Sequence, residues 1–258
     1  MVSIKAVAIG CTVAVVVVVV IVVPSVLLTA QKPEFVETFM EKCLEFPEEK
    51  QICESKWAAF EQAYVGKNHC NVSEGNYNQL FSETPYDHPC NKTMFWSKAH
   101  DLVHEFTEKT RCLFTLEDTL LGHVLNGLSW CGKTGSSDTF TEHCEDCKPN
   151  PVSSFWKIAS TRFAQHACGE ASVMLDGERK EPYDANSFFG GVEVPQLKPP
   201  KVTNLTVVLV AKESGCTCES LGSLRKDLHQ GIGCTCKAVA RSHVEQCIEE
   251  KTPCGACW

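Results

Sequence analysis

The stretch 202-VTNLTVVLVA-211 decides the fold class. Six of its ten residues are β-branched, and side chains that are stiff at χ1 suit an extended chain better than a helix. From Val207 to Ala211 the run is continuously apolar instead of alternating, the pattern of a strand buried on both faces in a parallel sheet covered by helices. Val173-Met174-Leu175 reads as a second, shorter strand, and 219-ESLGSLRKDLHQGIGCTC-236 as a short helix followed by a short strand or loop. Upstream the period changes. The segments 35-FVETFMEKC-43, 53-CESKWAAFEQAY-64 and 94-MFWSKAHDLVHEFTEKT-110 carry apolar residues three and four apart with charges between them, which predicts helices. Thr115-Leu116-Glu117-Asp118 resembles a capping box opening another, 115-TLEDTLLGHVLNGL-128. Pro151 suits the first turn of 151-PVSSFWKIASTRFAQHA-167. The expected fold is α+β or α/β. A mainly helical part, 31–140, precedes an α/β part, 141–258, whose short parallel sheet is flanked by helices, with the junction in the Gly-, Ser-, Thr- and Cys-rich stretch 132–150.

Ala6 to Leu28 is an uncharged apolar run of 23 residues entered by Lys5. It is long enough to span a bilayer and longer than the apolar core of a usual cleaved signal. Residues 1–30 therefore read as a short tail and a signal anchor, making a single-pass type II protein with residues 31–258 lumenal or extracellular. A secretory signal cut after Ala30 is the alternative, and both export the remainder. Sixteen of the 17 cysteines lie beyond residue 42; behind a membrane-targeting segment such a set points to disulfides. Cys216-x-Cys218, Cys234-x-Cys236 and Cys144-x-x-Cys147 have the look of zinc ligands, but no two CxxC motifs stand at finger spacing, so no metal is expected. His100 and His104, four apart beside Glu105, lack a third ligand and read as a packed or solvated pair. Asn71, Asn91 and Asn204 begin glycosylation sequons. With 24 Lys and Arg against 32 Asp and Glu, the chain offers no clustered basic surface for nucleic acid.

Two stretches combine large aromatics with acids or hydroxyls: Trp96, Glu117, Asp118 and Trp130 in the first, Trp156, Ser160, Phe188, Phe189 and Glu193 in the second. Indole faces attract a flat cation and carboxylates stabilise an oxocarbenium-like centre, the needs of cleaving a glycosidic bond to a cationic leaving group. Spacing alone favours Trp in the core and an acid beside Thr as a cap.

The blocks MFWSKAHDLVHEF, FTLEDTLLGHVLNGLSWCG, NPVSSFWKIASTRFA and NSFFGGVEVPQL resemble, in order and spacing, those of the ADP-ribosyl cyclase / cyclic ADP-ribose hydrolase family. The match covers nearly all of residues 40–250, and the plan of one N-terminal anchor before a disulfide-rich part resembles the vertebrate membrane NAD glycohydrolases. The resemblance implies cleavage of the nicotinamide–ribose bond of NAD to ADP-ribose and cyclic ADP-ribose, with base exchange on NADP. NAD and NADP would be substrates, with no cofactor, and a homodimer is open to such a chain. A catalytically weak surface receptor or adhesion protein on the same fold is the rival reading. Glu193 matches the catalytic acid, Trp96 and Trp156 the pocket walls, and Glu117 with Asp118 the acids at the nicotinamide end. Ser160 matches a serine near the reacting ribose, and Ser97, Lys98 and Phe189 fall where the diphosphate is held. Lys98 replaces an arginine of close vertebrate relatives, keeping the charge and losing the bidentate fork. Asn126 stands at an aspartate of the mammalian hydrolase. Phe188 stands where that hydrolase has threonine and the molluscan cyclase phenylalanine.

The resemblance also implies the disulfides Cys43–Cys53, Cys70–Cys147, Cys90–Cys168 and Cys131–Cys144. Nearer the C-terminus it leaves Cys216 or Cys218 with Cys234 or Cys236, and Cys247 with Cys254 or Cys257. It gives Cys112 no partner.

Overall fold

A computed structural model describes residues 34–46, 52–137, 147–212 and 215–258. The apolar run 6–28, and the anchor read from it, lie outside the described residues. No helix among the described residues is long and apolar enough to cross a membrane.

Four strands, β1 (Met94–Ser97), β2 (Gly169–Asp176), β3 (Val202–Val210) and β4 (Gly233–Val239), form one parallel sheet in that order. β3 is paired along both edges, with Val207 opposite Val173 and Cys236. Its neighbouring side chains enter different cores: Leu205 and Val207 join one apolar cluster, Val208 and Val210 the other. Burial on both faces is why the sequence there runs apolar without alternation.

Parallel neighbours need long crossovers, and these carry the helices. Before the sheet come α1 (Glu34–Leu44), α2 (Cys53–Tyr64) and α3 (Asn78–Ser82). Between β1 and β2 come α4 (His100–Thr110), α5 (Leu120–Leu125) and α6 (Pro151–His166); α7 (Leu224–Asp227) precedes β4 and α8 (Arg241–Glu250) follows it. The larger core packs Phe35, Phe39, Phe60 and Tyr64 of α1 and α2, with Phe155 and Phe163 of α6, onto Val173, Leu175 and Val207. The second core packs Leu102, Val103 and Phe106 of α4 with Val244 and Ile248 of α8 against Met94, Met174 and Val208. Trp130 is a core residue. It is fully buried, T-shaped on Phe60 at 5.1 Å between centroids, and donates to the Tyr77 hydroxyl at 2.9 Å.

One element differs in kind from its sequence reading. Residues 94–97 are read as the start of a helix but form β1, because Met94–Ser97 pair with Ser172–Leu175 and Lys98, at φ 60°, turns the chain before α4 begins at His100. The sheet thus takes an edge strand from the part read as helical, and one apolar cluster runs from Phe35 to Ile232 across both parts.

Seven disulfides join described residues: Cys43–Cys53, Cys70–Cys147, Cys90–Cys168, Cys112–Cys254, Cys216–Cys236, Cys218–Cys234 and Cys247–Cys257. Cys131 is also disulfide-bonded, and Cys144 lies outside the described residues. Cys112, without a partner in the sequence reading, is bound to Cys254. Arg111 closes α4 in the left-handed region at φ 51° and turns Cys112 back toward the C-terminal segment, which leaves Cys257 for Cys247. Cys234 and Cys236, two apart on a strand, point to one face of β4, so both reach the Cys216–Cys218 segment. Among the sequon asparagines, Asn71 is exposed, Asn91 accepts the Glu170 backbone N–H at 2.8 Å, and Asn204 sits in the inner strand β3, donating to Thr206 Oγ1 at 3.2 Å.

Candidate active site

In open parallel sheets ligands bind beyond the carboxyl ends of the strands. β1 delivers Trp96 and Ser97 to that end, with Lys98 following, and all three line a cavity of about 540 Å³. Apart from His100 of α4, the other wall residues discussed below come from three turns and one helix, each fixed by local chemistry.

Leu116–Asp118 is a single 3₁₀ turn opened by Thr115, whose backbone N–H and hydroxyl both donate to Asp118 Oδ2 at 2.7 Å. Successive residues of a 3₁₀ turn point about 120° apart, so the two acids diverge. Glu117 faces the cavity, while Asp118 is absent from its lining and borders a neighbouring hollow with Tyr86 and His88. The Asp118 carboxylate, read from the sequence as a substrate contact, caps this turn. Gly122 lets α5 settle on this turn, since a Cβ there would lie 1.9 Å from the Leu116 carbonyl oxygen. Asn126, just past α5, completes that wall, and its carbonyl is held by Lys42 Nζ at 2.8 Å.

α6 starts at the N-cap Asn150, whose side chain accepts the Ser153 N–H at 2.8 Å. Trp156 and Ser160, four apart, share the helix face toward the cavity. The fourth wall is a π turn, Phe189–Glu193, the wide helical form with one extra residue per turn that often marks functional sites. Asp184 and Ser187 anchor it: Ser187 Oγ donates to the Asp184 carbonyl at 2.7 Å and accepts the Gly190 N–H at 3.0 Å. A Cβ on Gly190 would meet the Asp184 oxygen at 2.3 Å, so the turn can sit there only with glycine. Phe189 buries its ring near Phe95 and Tyr183, whereas Phe188 is 48% exposed at the cavity lip. Sequence reasoning missed the roles of Gly190, Ser187 and Gly122. The GG doublet ahead of Glu193 is the signal that could have pointed to a close backbone approach.

Glu193 is buried, with 7% of its surface exposed. Burial pushes its carboxyl up to about 8, the charge of Glu117 adds to the rise, and a hydrogen bond from Ser160 opposes it. At neutral pH the group is mostly protonated. Glu117 Oε2 accepts from Trp96 Nε1 at 3.2 Å. The cavity thus gathers two indoles, the carboxyls of Glu117, Asp184 and Glu193, one serine hydroxyl against the buried acid, and one lysine at its mouth. Such a set can take a flat cationic group, hold an anionic tail near Lys98, and stabilise a positive centre left when the cation departs. His100 also lines the cavity. Among the described residues the group with metal-compatible spacing is His69, Cys70 and Cys147, none of which lines the cavity, and the two cysteines are bonded to each other.

Comparison with known proteins gives a concordant picture. The family model described as ADP-ribosyl cyclase matches residues 32–256. The chain is 39% identical over 206 residues to the Mus musculus ADP-ribosyl cyclase/cyclic ADP-ribose hydrolase 1, covering 74% of this chain and 68% of that protein. Porcine CD38 in complex with a covalent intermediate, ribo-F-ribose-5'-phosphate, superposes with a TM-score of 0.74 at 36% identity, covering 81% of this chain and 97% of the other. Aplysia cyclase complexed with substrate NGD and product cGDPR gives a TM-score of 0.70 at 29% identity, covering 87% and 96%. By its matched sequence from residue 32 to residue 256 and its identity to these relatives, this chain belongs to the ADP-ribosyl cyclase family.

Proposed function

We propose that the protein cleaves the bond between nicotinamide and ribose in NAD, yielding ADP-ribose and cyclic ADP-ribose. The observation that carries this reading is the meeting of Trp96, Trp156, Glu117 and Glu193 in one cavity, with Glu193 buried. The pyridinium ring packs against the indoles, whose faces favour a cation. Its positive charge lowers the pKa of Glu193, so binding ionises a carboxyl that is otherwise mostly protonated at neutral pH. The C1'–N bond then breaks, and its electron pair leaves with nicotinamide, which becomes neutral. The ribosyl C1' carries the positive charge and is captured by the Glu193 carboxylate, as an ion pair or an ester, while Ser160 holds the second carboxyl oxygen. Attack by water on C1' gives ADP-ribose and releases one proton; attack by adenine N1 gives the cyclic product. Lys98 and Ser97 hold the diphosphate. With NADP and a free pyridine base, the same intermediate supports base exchange.

Phe188 governs which capture wins. Its ring stands exposed at the lip, placed to fold the adenine back over C1' and keep water out. Replacing it by threonine, F188T, should lower the cyclic share of products severalfold with nicotinamide release largely kept. Chromatography of products from NAD reads this directly, and an unchanged cyclic share would refute the role. The seven disulfides among the described residues support an oxidising compartment, lumenal or extracellular. Attachment runs through the N-terminal apolar segment, and exposed Asn71 is the favoured glycan acceptor.

A further inference from the structure

His104 stands behind the cavity wall, one helical turn from His100 on α4, with its side chain 20% exposed. Its Nε2 is buried and makes no hydrogen bond, although Glu117 Oε2 lies 3.8 Å away. Its Nδ1 is 3.5 Å from Thr115 Oγ1. That hydroxyl already donates to Asp118, so toward His104 it can only accept. A neutral imidazole has one N–H. Carried on Nδ1 it serves Thr115 and turns the Nε2 lone pair on the Glu117 carboxylate; carried on Nε2 it serves Glu117 and sets a lone pair against the Thr115 oxygen. The imidazolium alone satisfies both. Glu117 Oε2 is at the same time held by Trp96 Nε1, and the Trp96 ring meets the rings of His104 and His100 at 5.4 and 5.2 Å. A proton gained outside the cavity therefore acts on two residues that line it.

We infer that His104 is a positioning residue for Glu117: once protonated, its Nε2–H draws that carboxylate from Trp96 and offsets its charge, changing the ratio of water capture to adenine capture. The inference rests on the proposed NAD-cleaving site and adds a pH-dependent device to it. The groups facing His104 are Glu117 and Asp118 from the 3₁₀ turn, which favour its charge, and His100 and Asp101 from α4, which oppose and favour it respectively. Arg241 of α8 acts on Asp101. Burial outweighs the acids and holds the imidazole below its ordinary value of 6.5, so the change in product ratio falls on the acid side of that value.

The test measures products from NAD between about pH 5 and 8 for wild type, His104→Gln and Glu193→Gln. Wild type should change its cyclic-to-linear ratio about threefold across the acid limb, the scale of one part-buried ion pair. His104→Gln, always neutral, should give a flat ratio while still consuming NAD. A His104→Gln ratio that follows the wild-type pH curve overturns the inference. The imidazole resonance of His104, followed by NMR in the wild-type protein, gives a second readout that needs no turnover. Glu117→Gln should move its titration to lower pH, and no movement overturns the inference even if His104→Gln fails to fold. Retained cleavage by Glu193→Gln would instead overturn the site reading, leaving the NMR result to judge His104.

Discussion

Glu193→Gln is expected to lower NAD cleavage by about 10³-fold while making the folded protein more stable at neutral pH. The loss follows from removing the one charge aimed at the developing cation, a preorganised electrostatic contribution of the kind typically worth 10²- to 10³-fold. The gain follows from burial. The Glu193 carboxyl rises from its ordinary 4.5 to about 8 on folding. A group whose pKa is raised by folding contributes stability that is complete below the unfolded value and drains away as pH climbs toward the folded one. At pH 7 the wild-type chain has lost on the order of 3 kcal/mol, 2.5 pH units at about 1.4 kcal/mol each. Glutamine does not ionise and still accepts from Ser160. The melting temperature of the variant should therefore pull ahead of wild type between pH 5 and pH 8, by several degrees at neutrality, and calorimetry across that range checks it. The same titration sets the wild-type rate: kcat/KM reports the free enzyme and should rise with pH until about 8.

Gly190→Ala is expected to cost about 10²-fold in kcat/KM with the fold intact. The added methyl would lie 2.3 Å from the Asp184 carbonyl oxygen and 2.7 Å from Ala185 Cα. Both are backbone atoms, so the π turn must retreat by about 1 Å, and a misplacement of that size costs roughly 10²-fold when it moves a reacting group. Gly191→Ala is the control. Its methyl would stand 3.1 Å from the Ala185 carbonyl oxygen, a few tenths of an ångström too close, and activity should stay within tenfold of wild type. Steady-state kinetics on both variants, with circular dichroism to show that each is folded, separates displacement of Glu193 from general damage.

What could be read from the sequence follows burial. β3 was legible because both of its faces are covered, so its composition alone marks it. β1 was not: four residues at a sheet edge, running straight into α4, carry aromatics at spacings that fit a helix as well. In the 115–118 block the sequence shows two acids side by side, and which one faces the cavity depends on a cap that only geometry decides. Glu193 between two valines looks like a strand residue. The family resemblance identified it, and the π turn that buries it has no sequence period of its own. Cys112 lacked a partner because its bridge spans 142 residues and depends on how α4 and α8 pack.

Trapping the intermediate is the most direct test. The protein would be incubated with an NAD analogue bearing fluorine at the ribose 2' carbon, which slows the second step, and then digested and mapped by mass spectrometry. The account predicts one ribosyl adduct on the peptide containing Glu193, absent from Glu193→Gln and formed with release of one nicotinamide. An adduct on Glu117, or nicotinamide release by Glu193→Gln at the wild-type rate, would contradict it.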